Sequence, residues 1–151
     1  MDLVKVREVE LFCPKDSLRC ELKDTEYGQE VITDEPFDRG GTNTAAAPLT
    51  HLNVALASCQ TVHIKKVAQS MRFNHKDIYV KCSTKTDIID GDTGFSNGVM
   101  QFVGASLEIN IETDEPQQKL DKLIQLSIDR CPVARLFSDA GFDPVYVWNK
   151  I

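Results

Sequence analysis

Five cysteines and three histidines are the residues of this 151-residue chain with the most chemistry to offer. Cys131 is followed directly by Pro132. Proline suits the first position of a helix, so Cys131 falls at the N-cap, where unpaired N–H groups and the helix dipole favour an anion. A thiol there is expected to ionise below the usual ~8.5, and the flanking Arg130 and Arg135 push the same way. Cys59 lies in "NVALASCQTVHIKKVAQ", in the middle of an apolar helical stretch. Burial there raises a thiol pKa, so Cys59 needs a cation from elsewhere in the fold to react. His63, one helical turn on, is a base or ligand for it, or a packed side chain. Packing is also the alternative for each cysteine, because a free cysteine buries readily as a small hydrophobe. Cys13, Cys20 and Cys82 are read as packing residues.

The cysteine positions do not suggest a disulfide framework, and there is no C-x-x-C pair. A zinc site on Cys59, His63 and Cys131 would still need a fourth ligand or a water. The aspartates of "DIIDGDTGFSNG" fail the calcium-loop pattern. Neither a metal nor an organic cofactor is expected.

Three short strands are expected at 3–11, 18–23 and 29–34, with a turn at "TEYGQ". "DEPFDRGGTNTAAAP" reads as a loop ending in a proline suited to open a helix. A long helix then runs to about Phe73, with Leu49, Leu52, Leu56, Cys59, Val62 or His63, and Val67 on its apolar stripe. Its first half is apolar on more than one face and is expected to be buried all round. "DIYVKCSTK" and "VGASLEINIE" read as strands joined by a hairpin loop, with Val103, Ala105, Leu107, Ile109 and Ile111 facing inward. An amphipathic helix over 115–130, a short helix from Pro132 to Gly141 and a strand "PVYVW" close the chain. The order β-β-β-α-β-β-α-α-β is an α+β arrangement. No linker or repeat appears, so residues 1–151 are expected to form a single domain.

Composition bounds the rest. A 42% hydrophobic and 26% charged chain is ordinary for a globular protein. A net charge of -6 argues against a nucleic-acid partner or an anionic membrane surface. The longest apolar runs are far too short to span a bilayer, and the first residues lack a signal-peptide core. A cytoplasmic protein with reduced thiols is expected.

"GGTNTAAAPLTHLNVALASC" resembles the segment around the first cysteine of the OsmC/Ohr family, the osmotically inducible and organic hydroperoxide resistance proteins. "DRCPVARLF" resembles the same family's second signature, and "LRCELKD…VITDEP" its early strands. The resemblance covers nearly the whole chain in order. It implies an intertwined α+β homodimer, with a curved antiparallel sheet wrapped around long central helices. It also implies that Cys59 attacks an organic hydroperoxide and that Cys131 resolves the product as a disulfide. A dithiol reductant such as a lipoylated protein then restores both thiols.

Family peroxidases draw a thiolate-stabilising arginine from the N-terminal strands. Arg19 falls where that arginine would be, with Arg39 as the fallback. The chain departs from the pattern where a glutamate follows the helix-opening proline and orients the arginine, since Leu49 and Thr50 stand there. Ala134 also stands where the second signature often has His or Ser. An unclamped arginine would hold a thiolate less well. Two readings follow: a thiol-dependent organic hydroperoxide reductase, or a non-catalytic OsmC-fold protein that binds a small ligand or senses redox state.

Overall fold

A computed structural model describes residues 4–89 and 99–151. The chain divides into two compact units, residues 1–52 and 53–151.

The first unit is built on β1 (Val9–Phe12), β2 (Cys20–Asp24) and β3 (Glu30–Thr33), an antiparallel meander in sequence order. Phe12 stands opposite Glu21, and Cys20 opposite Thr33. The β2–β3 turn closes because the Asp24 carboxylate accepts the Tyr27 N–H at 2.6 Å and Gly28 takes a φ of +73°. After β3 the chain enters a loop with one 3-10 turn, Phe37–Arg39. Gly41 is obligatory in that loop, since a Cβ there would sit 1.8 Å from the Glu35 carbonyl oxygen.

Helix α1 (Pro48–Met71) opens at the proline that the sequence marks and carries the chain into the second unit. Its buried stripe is Leu56, Gln60, Ile64, Val67 and Ala68, at steps of four, three and one. The first half is not buried all round, because Leu49 and Val54 stay exposed, as does Val62 further along. The stripe runs through Gln60 and Ile64 instead, and that polar residue is tolerated because both ends of its amide are hydrogen-bonded.

The remaining elements are β4 (Ile78–Ile89), β5 (Val99–Ile111), α2 (Gln117–Ile128), α3 (Pro132–Asp139) and β6 (Val145–Lys150). The element order is the expected one. The strands, however, form two three-stranded sheets rather than one curved antiparallel sheet, and the second sheet is mixed. β4 and β5 are antiparallel, whereas β6 lies parallel to β5. The cause is the α2–α3 crossover, which returns the chain to the end of the sheet where β5 began.

Ala105, Leu107, Ile109 and Ile111 are buried, as their alternation predicts. Val103 is not, at 38% exposure. Lys85 pairs with Gly104 and Thr86 with Phe102, so Val103 is the extra residue of a bulge. The bulge reverses the alternation, and Phe102 takes an edge-to-face contact with Phe137 of α3. Of "DIIDGDTGFSNG", read as the hairpin loop, residues 87–89 belong to β4, and residues 90–98 lie outside the described residues. Among the described residues no helix is long and apolar enough to cross a membrane.

Candidate functional site

Three of the five residues singled out by the sequence meet in the second unit. The ligand atoms of Cys59, His63 and Cys131 all lie within 4.8 Å of one another. α1 supplies the first two, one turn apart on a half-buried face. The third comes from the junction of α2 and α3.

The junction is held by a buried polar strut. The Gln60 side chain donates to the Ser127 carbonyl at 3.1 Å and accepts the Tyr146 hydroxyl at 3.1 Å. It therefore ties α1, beside Cys59, to the end of α2 and to β6. Tyr146 and Cys131 in turn border a cavity of about 290 Å³, walled also by Ile128, Ala134 and Pro144.

Cys131 occupies the N-cap of α3 as predicted, with Pro132 at the first helical position. Its sulfur accepts the Ala134 N–H at 3.4 Å. The expected consequence fails, because Cys131 is 1% exposed and burial pushes its thiol up to about 11. The helix-end N–H groups of Ala134 and Val133 pull the other way and lose, while the neighbouring Cys59 adds to the rise. Arg135 does not help, since its guanidinium is paired with Asp139 at 3.1 Å.

His63 Nδ1 lies 2.8 Å from the Cys59 carbonyl oxygen and 3.7 Å from the Cys59 sulfur. A carbonyl only accepts, so Nδ1 carries the hydrogen. The Nδ1–H is thus given to that carbonyl, and only Nε2 is free to take up a proton or bind a metal. The donor set fits zinc poorly, because the nitrogen beside the sulfur is already committed and, among the described residues, only three side chains converge.

Arg19 and Arg39 belong to the first unit. Arg39 forms an ion pair with Glu35 at 2.9 Å. Arg19 is 3.9 Å from Glu21 and donates from Nη1 to the Thr44 hydroxyl at 2.7 Å. That hydroxyl donates in turn to Asp34 Oδ2 at 2.8 Å. Asp34 is 1% exposed and also accepts the Thr42 hydroxyl at 2.6 Å, the Thr44 N–H at 3.0 Å and the Glu35 N–H at 2.9 Å. The Thr42 hydroxyl, then the Thr44 N–H, hold its carboxyl well below the usual carboxylate range. Asp34, Thr44, Gln60 and Tyr146 have no place among the site residues the sequence points to. A signal for the first two existed in the aspartate followed by Thr-x-Thr across a glycine-rich loop.

A family model described as OsmC-like protein matches residues 41–142. No curated protein matches the chain in sequence. Among solved structures, an OsmC-like protein from Mycoplasma pneumoniae superposes with a TM-score of 0.77 at 14% identity, over 97% of this chain and 98% of that one. An organic hydroperoxide resistance protein from Elizabethkingia anophelis gives 0.75 at 16%, over 100% of both chains. An organic hydroperoxide resistance protein OsmC from Legionella pneumophila gives 0.73 at 15%, over 98% and 99%. At these identities the superpositions establish the fold.

Proposed function

The chain belongs to the OsmC-like protein family, and on that premise we propose that it is a thiol-dependent peroxidase for organic hydroperoxides, working as a homodimer in the cytoplasm. The observation that carries the reading is the convergence of Cys59 and Cys131 from separate signatures into one cluster. Neither helix packing nor the core requires two thiols there, since an aliphatic pair would fill the space.

The Cys59 thiolate attacks the terminal oxygen of the hydroperoxide. The O–O bond breaks, the alkoxide takes a proton and leaves as the alcohol, and Cys59 becomes a sulfenic acid. Cys131 then attacks that sulfur. The S–O bond breaks, the departing hydroxide takes the proton of the Cys131 thiol, and water leaves behind a Cys59–Cys131 disulfide. A dithiol reductant, such as a lipoyl group, returns both cysteines to thiols by two exchanges.

The high pKa of Cys131 supports this division of labour, because a thiol that keeps its proton is a poor first attacker. His63 stands beside Cys59, with its Nδ1 3.7 Å from the sulfur. Arg19 is assigned to stabilise the thiolate and the charge developing on oxygen, with Arg39 as the alternative. Asp34, acting through the Thr44 hydroxyl, takes over the clamping duty of the glutamate that Leu49 and Thr50 replace. Arg19 thereby keeps a carboxylate anchor, one hydroxyl removed.

The test is consumption of cumene hydroperoxide by the pre-reduced protein with dihydrolipoamide, alongside Cys59→Ser and Cys131→Ser. Turnover that Cys59→Ser abolishes, and that stalls at a sulfenic acid in Cys131→Ser, is the expected result. Consumption no faster than that of free dithiol would refute it and leave a non-catalytic, ligand-binding or redox-sensing protein.

A further inference from the structure

Cys13 and Cys20 do not pack as the sequence suggests: Cys13 is exposed and Cys20 only half-buried. The β1–β2 register places Phe12 opposite Glu21, so the next pair outward is Cys13 and Cys20. Thr25 N–H donates to the Glu8 carbonyl at 3.1 Å, which makes residues 8 and 25 a hydrogen-bonded pair. Cys13 and Cys20 lie one step beyond the last paired residues, where continued alternation would give the non-hydrogen-bonded spacing. Such pairs bring Cα atoms to about 4.5 Å with both side chains on one face, inside the ~4.4–6.8 Å that a disulfide spans. The two thiols already interact. The Cys13 thiol donates to the Ser17 carbonyl at 3.3 Å, and the neighbouring Cys20 raises the Cys13 pKa above the ordinary thiol range.

We propose that Cys13 and Cys20 form a second redox-active dithiol, which closes to a disulfide across the β1–β2 loop by exchange with a small-molecule disulfide. In the first step the Cys20 thiolate attacks one sulfur of the small disulfide. A mixed disulfide forms and one small thiolate leaves. Cys13 then loses its proton to solvent and attacks the Cys20 sulfur, releasing the second small thiolate. Two electrons pass from the cysteine pair to the small disulfide, which departs as two thiols. Exposure gives the reagent access, and the cross-strand register gives Cys13 the advantage over a second reagent molecule. The ring encloses Pro14 to Arg19, so closure fixes the backbone beside Arg19. Any effect of closure on turnover rests on the role assigned to Arg19 above, but closure itself does not.

The experiment equilibrates the reduced full-length protein with excess oxidised glutathione, quenches it in acid, alkylates free thiols and digests with trypsin. Cleavage after Lys15 and Arg19 separates Cys13 from Cys20 unless a sulfur bridge joins their peptides. The expected product is the bridged peptide pair from chains that run singly on a non-reducing gel. The same product is expected from Cys59→Ser/Cys131→Ser, a protein with no peroxidase pair, so the result does not depend on peroxidase activity. Cys13→Ser should leave one glutathione on Cys20. Free thiols at both positions, stable glutathione on both, or chains cross-linked through either cysteine would overturn the proposal.

Discussion

Cys131 shows how two opposed local effects are decided by magnitude. A helix N-terminus acts through one or two N–H groups, whereas near-complete removal from water acts on the whole thiolate. Burial wins, and the thiol titrates at about 11. Its folded pKa exceeds the unfolded value of about 8.5, so the neutral thiol stabilises the fold fully below that pH. The contribution is lost as pH rises through the folded value. Denaturation midpoints measured from pH 8 to 11 should therefore fall, and fall less in Cys131→Ala. That variant should start about 1 kcal/mol less stable for its lost packing. Tyr146, pushed up to about 12 by burial first and by Cys131 next, adds a decline of the same sign at higher pH. The Arg19–Thr44–Asp34 chain gives a second test at this scale. Thr44→Val removes the hydroxyl but keeps the backbone N–H that Asp34 accepts, so the loop survives while Arg19 loses its acceptor. Turnover should drop roughly ten- to a hundredfold, the cost of a misplaced catalytic group. The rate of Cys59 alkylation at neutral pH should fall with it, and Thr44→Ser should restore both. An unchanged alkylation rate would separate Arg19 from the thiolate.

At the scale of elements, period and caps were legible in the sequence while partners were not. The Cys-Pro pair marked the start of α3, and alternation marked β5 as far as Gly104. Val103 was misplaced because a bulge adds one residue to a period-two pattern and leaves no trace in residue type. The α1 stripe expected through Leu56, Cys59, Val62 or His63, and Val67 holds at Leu56 and Val67 but runs through Gln60 and Ile64 between them, because Gln60 counts as polar until its partners are known. Those partners sit 67 and 86 positions away and cannot be read locally. The strut makes its own prediction. Gln60→Ala opens a gap and leaves the Tyr146 hydroxyl without its acceptor, while the Ser127 carbonyl keeps the Arg130 N–H, at a cost of about 2–4 kcal/mol. A urea denaturation midpoint checks it, and a loss below 1 kcal/mol would mean that water replaces the amide. The glycine-rich loop answers to another rule. Gly41→Ala must displace the Glu35 backbone, which the 1.8 Å clash forbids in place. It should therefore disturb the Asp34 cradle as well, and faster amide exchange at Thr42 and Thr44 would report it.

For the molecule as a whole, the pair of thiols was legible through two signatures, but the covering of the first unit was not. β1 is exposed at all four positions, and Val9, Leu11 and Phe12 stand between 57% and 64% open. Val31 and Ile32 of β3 are exposed beside them in the same sheet. A small antiparallel sheet with no apolar face buried is marginal in water. The proposed homodimer would supply a cover made of the same chain. Each large aliphatic or aromatic side chain buried in such an interface contributes about 1.5–3 kcal/mol. One charged replacement should then weaken association by at least tenfold per 1.4 kcal/mol lost. Sedimentation of the native protein should give the mass of two chains at micromolar concentration, and Leu11→Asp should shift the population toward one. Peroxide turnover decides whether the cover matters to the site. If Arg19 is held in working position by the dimer, Leu11→Asp should lower turnover in step with the fraction of single chains, and raising the protein concentration should recover it. A native protein that sediments as one chain at every concentration would remove the dimer, and with it the explanation for the open apolar strand.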